Sequence, residues 1–209
     1  MPFLGDCAVR HMNAVLDRFE RDLYPKLKAR KTDMPVVPSG ARHSTLNINS
    51  IHGGQAELQS GFPAPCVPDS CRMMIDRRWL VEESIDGVKR EVVDLLDRLA
   101  ADRAGFTYSI RDIFEVMPTM ADRNGPVASA TAAAIRRVIG RDPEFVCSPG
   151  TYDQKHIDRV GKLKDCIAYG PGLLDLAHQP DEYVVIDDMV TAAKVMALAA
   201  WSLLRAPRV

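Results

Sequence analysis

A histidine lies close to two acidic residues in the stretch "DLAHQPDEYV", where His178 precedes Asp181 and Glu182. Imidazole and carboxylate groups are common ligands of zinc and other divalent metal ions. A catalytic zinc ion needs about three protein ligands, so one histidine cannot hold it alone. By itself the stretch predicts either a surface histidine or one ligand of a metal site whose other ligands lie elsewhere.

The composition of the chain excludes several classes of protein. Its 209 residues include 27 lysines and arginines against 28 aspartates and glutamates, which gives a formal net charge of -1. This balance gives no electrostatic reason to expect nucleic acid or an anionic membrane surface as a partner. No segment reads as a signal peptide or a membrane span, and the five cysteines are expected to be reduced. These features predict a cytoplasmic globular protein.

Hydrophobic spacing in the first half of the chain predicts five elements that must position any functional residues. Apolar residues recur at intervals of three and four over residues 6–29, which is typical of an amphipathic helix. Alternation predicts strands at 45–51 and 71–79, and Ser84 is placed to cap a following helix. The stretch "FTYSIRDIFEVMPTM" predicts a third strand, which begins near Phe106 and ends at Pro118. The order resembles a ferredoxin-like split βαββαβ unit that lacks its opening strand.

In the second half of the chain, predicted helices alternate with short strands, as in an α/β domain. Helices are predicted at residues 127–139, 152–161 and 187–204. Short apolar strands are predicted between them, at 144–147 and 165–169. Strands that alternate with helices favour a parallel sheet, although two such strands are few for a sheet covered on both faces.

Five short motifs occur in order along the chain: "STLNINSIHGG", "CVPDSCRMMIDRRW", "GTYDQKHI", "AYGPG" and "AHQPDEYV". Their order and spacing resemble the C-terminal half of the M20 metallopeptidase family. That family includes acetylornithine deacetylase, succinyl-diaminopimelate desuccinylase, aminoacylases and related dipeptidases. The resemblance implies an α/β fold with an α+β lid. Residues 1–118 would be a partial lid, or dimerisation, domain, and residues 119–209 the C-terminal part of an α/β zinc-hydrolase catalytic domain.

The resemblance also implies a chemistry. Family members bind two zinc or cobalt ions, which activate a water molecule that cleaves an N-acyl amino acid of the acetylornithine or succinyl-diaminopimelate type. Most metal ligands and the general base come from a segment before the lid, and the sequence does not contain it. His178 matches the single ligand from the C-terminal part. No catalytic residue is therefore assigned to this chain, which is expected to be inactive alone.

Two basic residues match positions at which members of the family bind their substrate. Arg78 lies where relatives use an arginine to pair with the substrate carboxylate, and Asp76 on the same strand face could orient it. An ordinary ion pair on a solvated sheet is the alternative. Lys155 lies where many relatives carry an arginine. A lysine keeps the positive charge but lacks the planar guanidinium that can form two parallel hydrogen bonds with a carboxylate. A solvated lysine in the first turn of a helix remains the other interpretation.

Two glycines complete the set of implied substrate contacts. Gly170 and Gly172 follow a predicted strand and would let the backbone approach substrate closely, although an ordinary tight turn explains them nearly as well.

Two classes of function follow from this sequence. In the first, the chain is a portion of a small-molecule amidohydrolase that forms a homodimer through its lid and needs a missing N-terminal half. In the second, it is a non-catalytic dimerisation or binding module. The acyl group and the metal ion are both left open, because a histidine ligand suits zinc, cobalt or manganese.

Overall fold

The structure, a computed structural model, describes residues 2–54, 66–177 and 179–205. Within these ranges no helix combines the length and the apolar character needed to cross a lipid bilayer. Helices and one small sheet make up the regular structure, which agrees in general terms with the predicted α/β class.

The chain divides into two compact units that are not continuous in sequence. The first unit comprises Met1–Thr32 and Arg42–Glu115, and the second comprises Asp33–Ala41 and Val116–Val209. The chain thus leaves the first unit after Thr32, contributes residues 33–41 to the second unit, and returns to the first unit at Arg42.

The predicted N-terminal helix forms as three successive helical segments. They are α1 (Ala8–Arg18), a π-helical segment (Phe19–Leu23) and α2 (Tyr24–Ala29). Pro25 has no N–H to donate to the preceding turn, so an α-helix cannot continue through it unchanged. The π-helical segment changes the hydrogen-bond register immediately before that proline.

The first two predicted strands are confirmed, and they form an antiparallel pair. Strand β1 (Thr45–Gly53) runs against β2 (Cys71–Arg78), and Thr45 lies opposite Arg78. The register shifts between Ile48 and Ser50. One face of this pair carries the apolar residues that pack against the helices of the unit: Leu46, Ile48, Met73 and Ile75.

Helix α3 (Ile85–Asp102) begins as the sequence predicts. Ser84 lies at the N-cap, and its Oγ accepts a hydrogen bond from the Gly87 amide at 3.1 Å. The helix buries one apolar face against the N-terminal helical segments and β1. The core of the first unit consists of eight buried residues from these elements: Val15, Phe19, Leu23, Leu27, Leu46, Leu95, Leu96 and Leu99.

Loss of the Ser84 hydroxyl is expected to weaken α3. Ser84→Ala leaves the Gly87 amide without its acceptor, so it should lower the free energy of unfolding by about 1 kcal/mol. Urea denaturation measures the change. Ser84→Asn is the matched control, because asparagine caps helices about as well as serine. Equal stability of Ser84→Ala and the parent protein would contradict a capping role.

The prediction of a third strand in the first unit is wrong. Residues 106–122 contain no regular secondary structure. A strand needs a neighbour for its backbone hydrogen bonds, and in the described ranges β1 and β2 pair only with each other. Side chains hold the segment instead, because Lys89 Nζ donates to both Asp112 and Glu115 at 2.8 Å. These two bonds raise the pKa of Lys89 above its usual value.

The three predicted helices of the second unit are confirmed. They are α4 (Pro126–Ile139), α5 (Gln154–Arg159), which is shorter than expected, and α6 (Ile186–Arg205). Helix α4 starts with a proline and ends at Gly140, which has φ +80°, a conformation that glycine adopts without strain. Helices α4 and α6 pack through a small core of Ala134, Ile135, Val195 and Ala199.

The two short strands predicted for the second unit do not form. Cys147 makes only an isolated parallel bridge to Val36, in which its N–H donates to the Pro35 carbonyl at 2.7 Å. Residues 165–169 belong to no ladder in the described part of the chain. Both segments are rich in apolar residues, but a strand also requires a paired neighbour.

Candidate functional site

Arg78 ends strand β2 on the face of the sheet that points away from the helices. Its Nε and Nη2 atoms both donate to Asp76 Oδ2 at 3.3 Å. The side chain of Arg78 is 54% exposed and that of Asp76 is 42% exposed. The alternation of the strand therefore places the guanidinium at the surface, with a carboxylate beside it that limits its orientation.

The neighbouring arginine points to the opposite face and has a different environment. The side chain of Arg77 is only 8% exposed, and its Nη2 lies 2.7 Å from Glu83 Oε1 and 3.6 Å from Glu91 Oε2. Arg30 Nη1 also donates to Glu83 Oε1 at 2.8 Å and contacts Glu91. Two arginines and two glutamates thus form a largely buried charge network between β2 and the helices.

Glu83 is the centre of this network. Besides the two arginines, its carboxylate accepts hydrogen bonds from Ser44 Oγ and from the Leu80 amide, the latter at 2.7 Å. Burial alone would raise the pKa of Glu83, but these bonds and the guanidinium of Arg77 outweigh it and lower the pKa below its usual value. Nothing in the sequence close to Glu83 indicates these partners, because Arg30 and Ser44 lie 53 and 39 residues away along the chain.

Lys155 lies in the first turn of α5, in the second unit. Its Nζ donates to the Tyr152 carbonyl at 3.4 Å, so the ammonium group bends back toward the loop before the helix. That loop is itself ordered by Ser148, whose Oγ is 2.9 Å from Tyr152 Oη and accepts from the Gly150 amide. Gln154 Nε2 donates to the Cys166 carbonyl at 2.6 Å and ties α5 to the segment before Tyr169.

The two candidate glycines differ in what their backbones require. Gly172 has φ +96°, a region that L side chains rarely adopt, so its glycine is explained by the turn itself. Gly170 has no positive φ, and a Cβ atom built there would meet nothing within 4 Å. In the described part of the chain, no neighbouring atom is close enough to require a glycine at either position.

Asp165, which no local sequence pattern identifies, caps the N-terminal end of helix α4. Asp165 Oδ2 accepts a hydrogen bond from the Val127 amide at the start of α4, at 3.0 Å. A Cβ atom at Gly125 would meet Asp165 Oδ1 at 2.7 Å, so the glycine makes room for this carboxylate. The separation of 38 residues between donor and acceptor hides the contact from any local pattern.

The described residues do not form a metal centre. The predicted ligand His178 lies outside them. Among the residues that are described, no three histidine, cysteine, aspartate or glutamate side chains are grouped to hold a metal ion. The sequence contains one HxD triplet, His156-Ile157-Asp158, but it lies on α5. Side chains two positions apart on a helix point about 200° apart, so this pair cannot chelate one ion.

Sequence comparison places the chain in a family. The sequence model of the peptidase family M20/M25/M40 matches residues 11–202. The chain belongs to this family. It is 27% identical over 161 residues to succinyl-diaminopimelate desuccinylase from Nitrosomonas europaea, an alignment that covers 77% of this chain and 39% of that protein. It is 26% identical to acetylornithine deacetylase from Myxococcus xanthus, with 75% and 37% coverage.

Comparison with solved structures agrees at the level of the fold. The di-peptidase Dug1p from Saccharomyces cerevisiae superimposes with a TM-score of 0.61 and 16% sequence identity. The match covers 98% of this chain and 41% of that chain. The chain therefore spans about two fifths of the length of these relatives.

Proposed function

We propose that this chain is the C-terminal portion of a metal-dependent amidohydrolase that cleaves an N-acyl amino acid. The observation that carries the proposal is the family match over residues 11–202. The names of the relatives support the substrate class, because they describe removal of succinyl and acetyl groups from amino acids. Since the chain spans only 39% and 37% of those relatives, its activity requires residues from the rest of the enzyme.

Each part of the chain has a proposed place in that enzyme. Residues 1–118 would form a partial ferredoxin-like lid, through which two copies dimerise, and residues 119–209 would complete the catalytic domain. The surface of α6 supports the second assignment. Several of its large apolar side chains are about half exposed, as expected for a helix that packs against further parts of a larger domain: Met189, Val190, Met196 and Trp201.

Arg78 would bind the carboxylate of the substrate. A planar guanidinium matches a carboxylate with two parallel hydrogen bonds, and Arg78 is exposed on a rigid strand with Asp76 orienting it. Lys155 would add a second positive charge, and Gly170 and Gly172 would leave the backbone accessible to substrate.

The metal chemistry belongs to the complete enzyme. Two zinc or cobalt ions would supply an activated water there, and His178 would be one ligand. The described residues of this chain do not fit a metal centre by themselves, since no suitable group of three ligands occurs among them.

Complementation tests the proposal. The coding sequence immediately upstream should encode an HxD motif, a later aspartate and a Glu-Glu pair. Co-expression of that polypeptide with this chain should release succinate or acetate from succinyl-diaminopimelate or acetylornithine, and zinc or cobalt should be required. This chain alone should release neither product. A stable dimer that hydrolyses nothing under complementation would overturn the proposal and favour a non-catalytic dimerisation module.

Arg78 provides a sharper test within the complemented enzyme. Arg78→Ala removes the charged hydrogen bonds to the substrate, so kcat/KM should fall about 10- to 100-fold, chiefly through a higher KM. Arg78→Lys should recover only part of the loss, because lysine lacks the planar fork. Arg72→Ala is the matched control, since Arg72 is exposed on the same face of β2. Equal effects of Arg78→Ala and Arg72→Ala would argue against a specific carboxylate contact.

A further inference from the structure

An open groove of about 310 Å³ lies in the first unit, between the start of α1 and the residue after α3. Its lining contains two arginines, one asparagine and no acidic residue: Val9, Arg10, Asn13, Ala14 and Arg103. Arg10 and Asn13 are three residues apart on α1, so their side chains are neighbours on the helix surface. The groove is thus lined by hydrogen-bond donors from two elements, together with the small apolar side chains of Val9 and Ala14.

The arginine contributed from beyond α3 is fixed in position. Arg103 Nε donates to His11 Nδ1 at 2.6 Å, and its Nη2 donates to the Arg10 carbonyl at 3.4 Å. His11 is buried, and its Nε2 lies 2.8 Å from Asp6 Oδ1. Because His11 Nδ1 accepts a hydrogen bond, the contact orients Arg103 without neutralising its charge.

The other arginine of the groove is distinguished from its neighbours along the same helical stretch. Arg18 pairs with Asp22 at 3.3 Å, and Arg21 pairs with Asp17 at 2.8 Å. Arg10 forms no such pair with any carboxylate in the described part of the chain. A guanidinium without a carboxylate partner, in a groove that a second arginine also lines, produces a local positive potential that favours an anion.

We infer that this groove binds a small dianion, specifically a phosphate group that is either free or carried by a small metabolite. The Arg10 and Arg103 guanidiniums can donate to separate oxygens of the group, and the Asn13 amide provides a third donor. A tetrahedral phosphate presents acceptors in several directions, which suits donors from two elements better than a planar carboxylate does. Val9 and Ala14 offer apolar contact to a carbon skeleton attached to the phosphate.

Isothermal titration of the full chain with inorganic phosphate tests the inference. Saturable binding of one phosphate per chain is expected, and Arg10→Gln should weaken it at least about tenfold, because a charged hydrogen bond is lost. Arg21→Gln is the matched control, because it removes the same charge from the same helical stretch outside the groove. Glycerol phosphate compared with inorganic phosphate distinguishes a metabolite site from a site for the free ion, since tighter binding of the ester indicates the former.

Arg10 is exposed, so its replacement should leave the fold intact, as circular dichroism can verify. Arg103→Gln also disturbs the contact with His11, and it serves only as a second variant. Equal weakening by Arg10→Gln and Arg21→Gln, or binding that sodium chloride abolishes equally in all variants, would show a diffuse charge effect and overturn the inference. Absence of saturable phosphate binding to the parent chain would overturn it as well.

Discussion

Replacement of Glu83 by alanine is expected to destabilise the first unit by about 3–5 kcal/mol, the usual cost of breaking a buried ion pair. Glu83 accepts hydrogen bonds from Arg30, Arg77, Ser44 and the Leu80 amide. Removal of the carboxylate leaves four donors without this acceptor. Arg77 suffers most, because its side chain is only 8% exposed and water cannot replace the lost partner.

Hydrogen exchange followed by mass spectrometry is the suitable measurement, because it reports the opening free energy of each unit separately. Peptides from α3 should exchange faster in Glu83→Ala, and peptides from α4 and α6 should not. Asp94→Asn is the matched control, since it removes an exposed carboxylate from α3. A loss no larger in Glu83→Ala than in Asp94→Asn would show that the network contributes little.

The same carboxylate should make the stability of the first unit depend on pH. The native pKa of Glu83 lies below its usual value of 4.5, so the unfolded state takes up the proton first as the pH falls. The stabilisation is therefore complete above pH 4.5 and is lost as the pH falls through the lowered native pKa. The difference in stability between the parent chain and Glu83→Ala should shrink over that acid range.

Phe19→Ala is expected to have a comparable effect through loss of packing. Phe19 is 1% exposed and belongs to the core between the N-terminal helical segments and α3. Truncation of a buried phenylalanine removes its transfer free energy and leaves a cavity, which together cost about 3–5 kcal/mol. The surrounding core is close-packed and relaxes only partly, so it does not fill the space.

Phe114→Ala provides the comparison within the same unit, because Phe114 is 76% exposed. Urea denaturation of the two variants should give a large loss for Phe19→Ala and a change within about 0.5 kcal/mol for Phe114→Ala. Similar losses for both would mean that the core of the first unit is not organised around Phe19.

Helices were predicted well because their signals are local. The apolar spacing of residues 6–29 and the serine at position 84 each appear within one or two turns, and the helices they predict form. The first two strands were also predictable, since alternation fixes which face of β2 carries Arg78. The expected strands at 106–118, 144–147 and 165–169 do not form, because a strand depends on a partner that its own residues do not reveal.

In the candidate site, too, the features that depend on local spacing could be predicted, and the contacts between residues distant in sequence could not. The surface position of Arg78 and its approach to Asp76 follow from the period of a strand. The network around Glu83 could not be anticipated, because Arg30 is 53 residues away along the chain and adjacent acids are usually solvated. Capping of α4 by Asp165 was hidden for the same reason.

Residues 33–41 have a consequence for how this protein can be divided or assembled. The chain passes between the units at three places, after Thr32, after Ala41 and after Glu115. A protease that cuts only after Glu115 would separate residues 116–209 from the rest of the chain, but residues 33–41 of the second unit would stay covalently attached to the first unit. A fragment that begins at Val116 would therefore lack a piece of its own unit. During synthesis, Pro35 and Val37 emerge long before Cys147, with which their backbones bond. The second unit therefore cannot be completed until the late part of the chain has been made, by which time every residue of the first unit has already been synthesised.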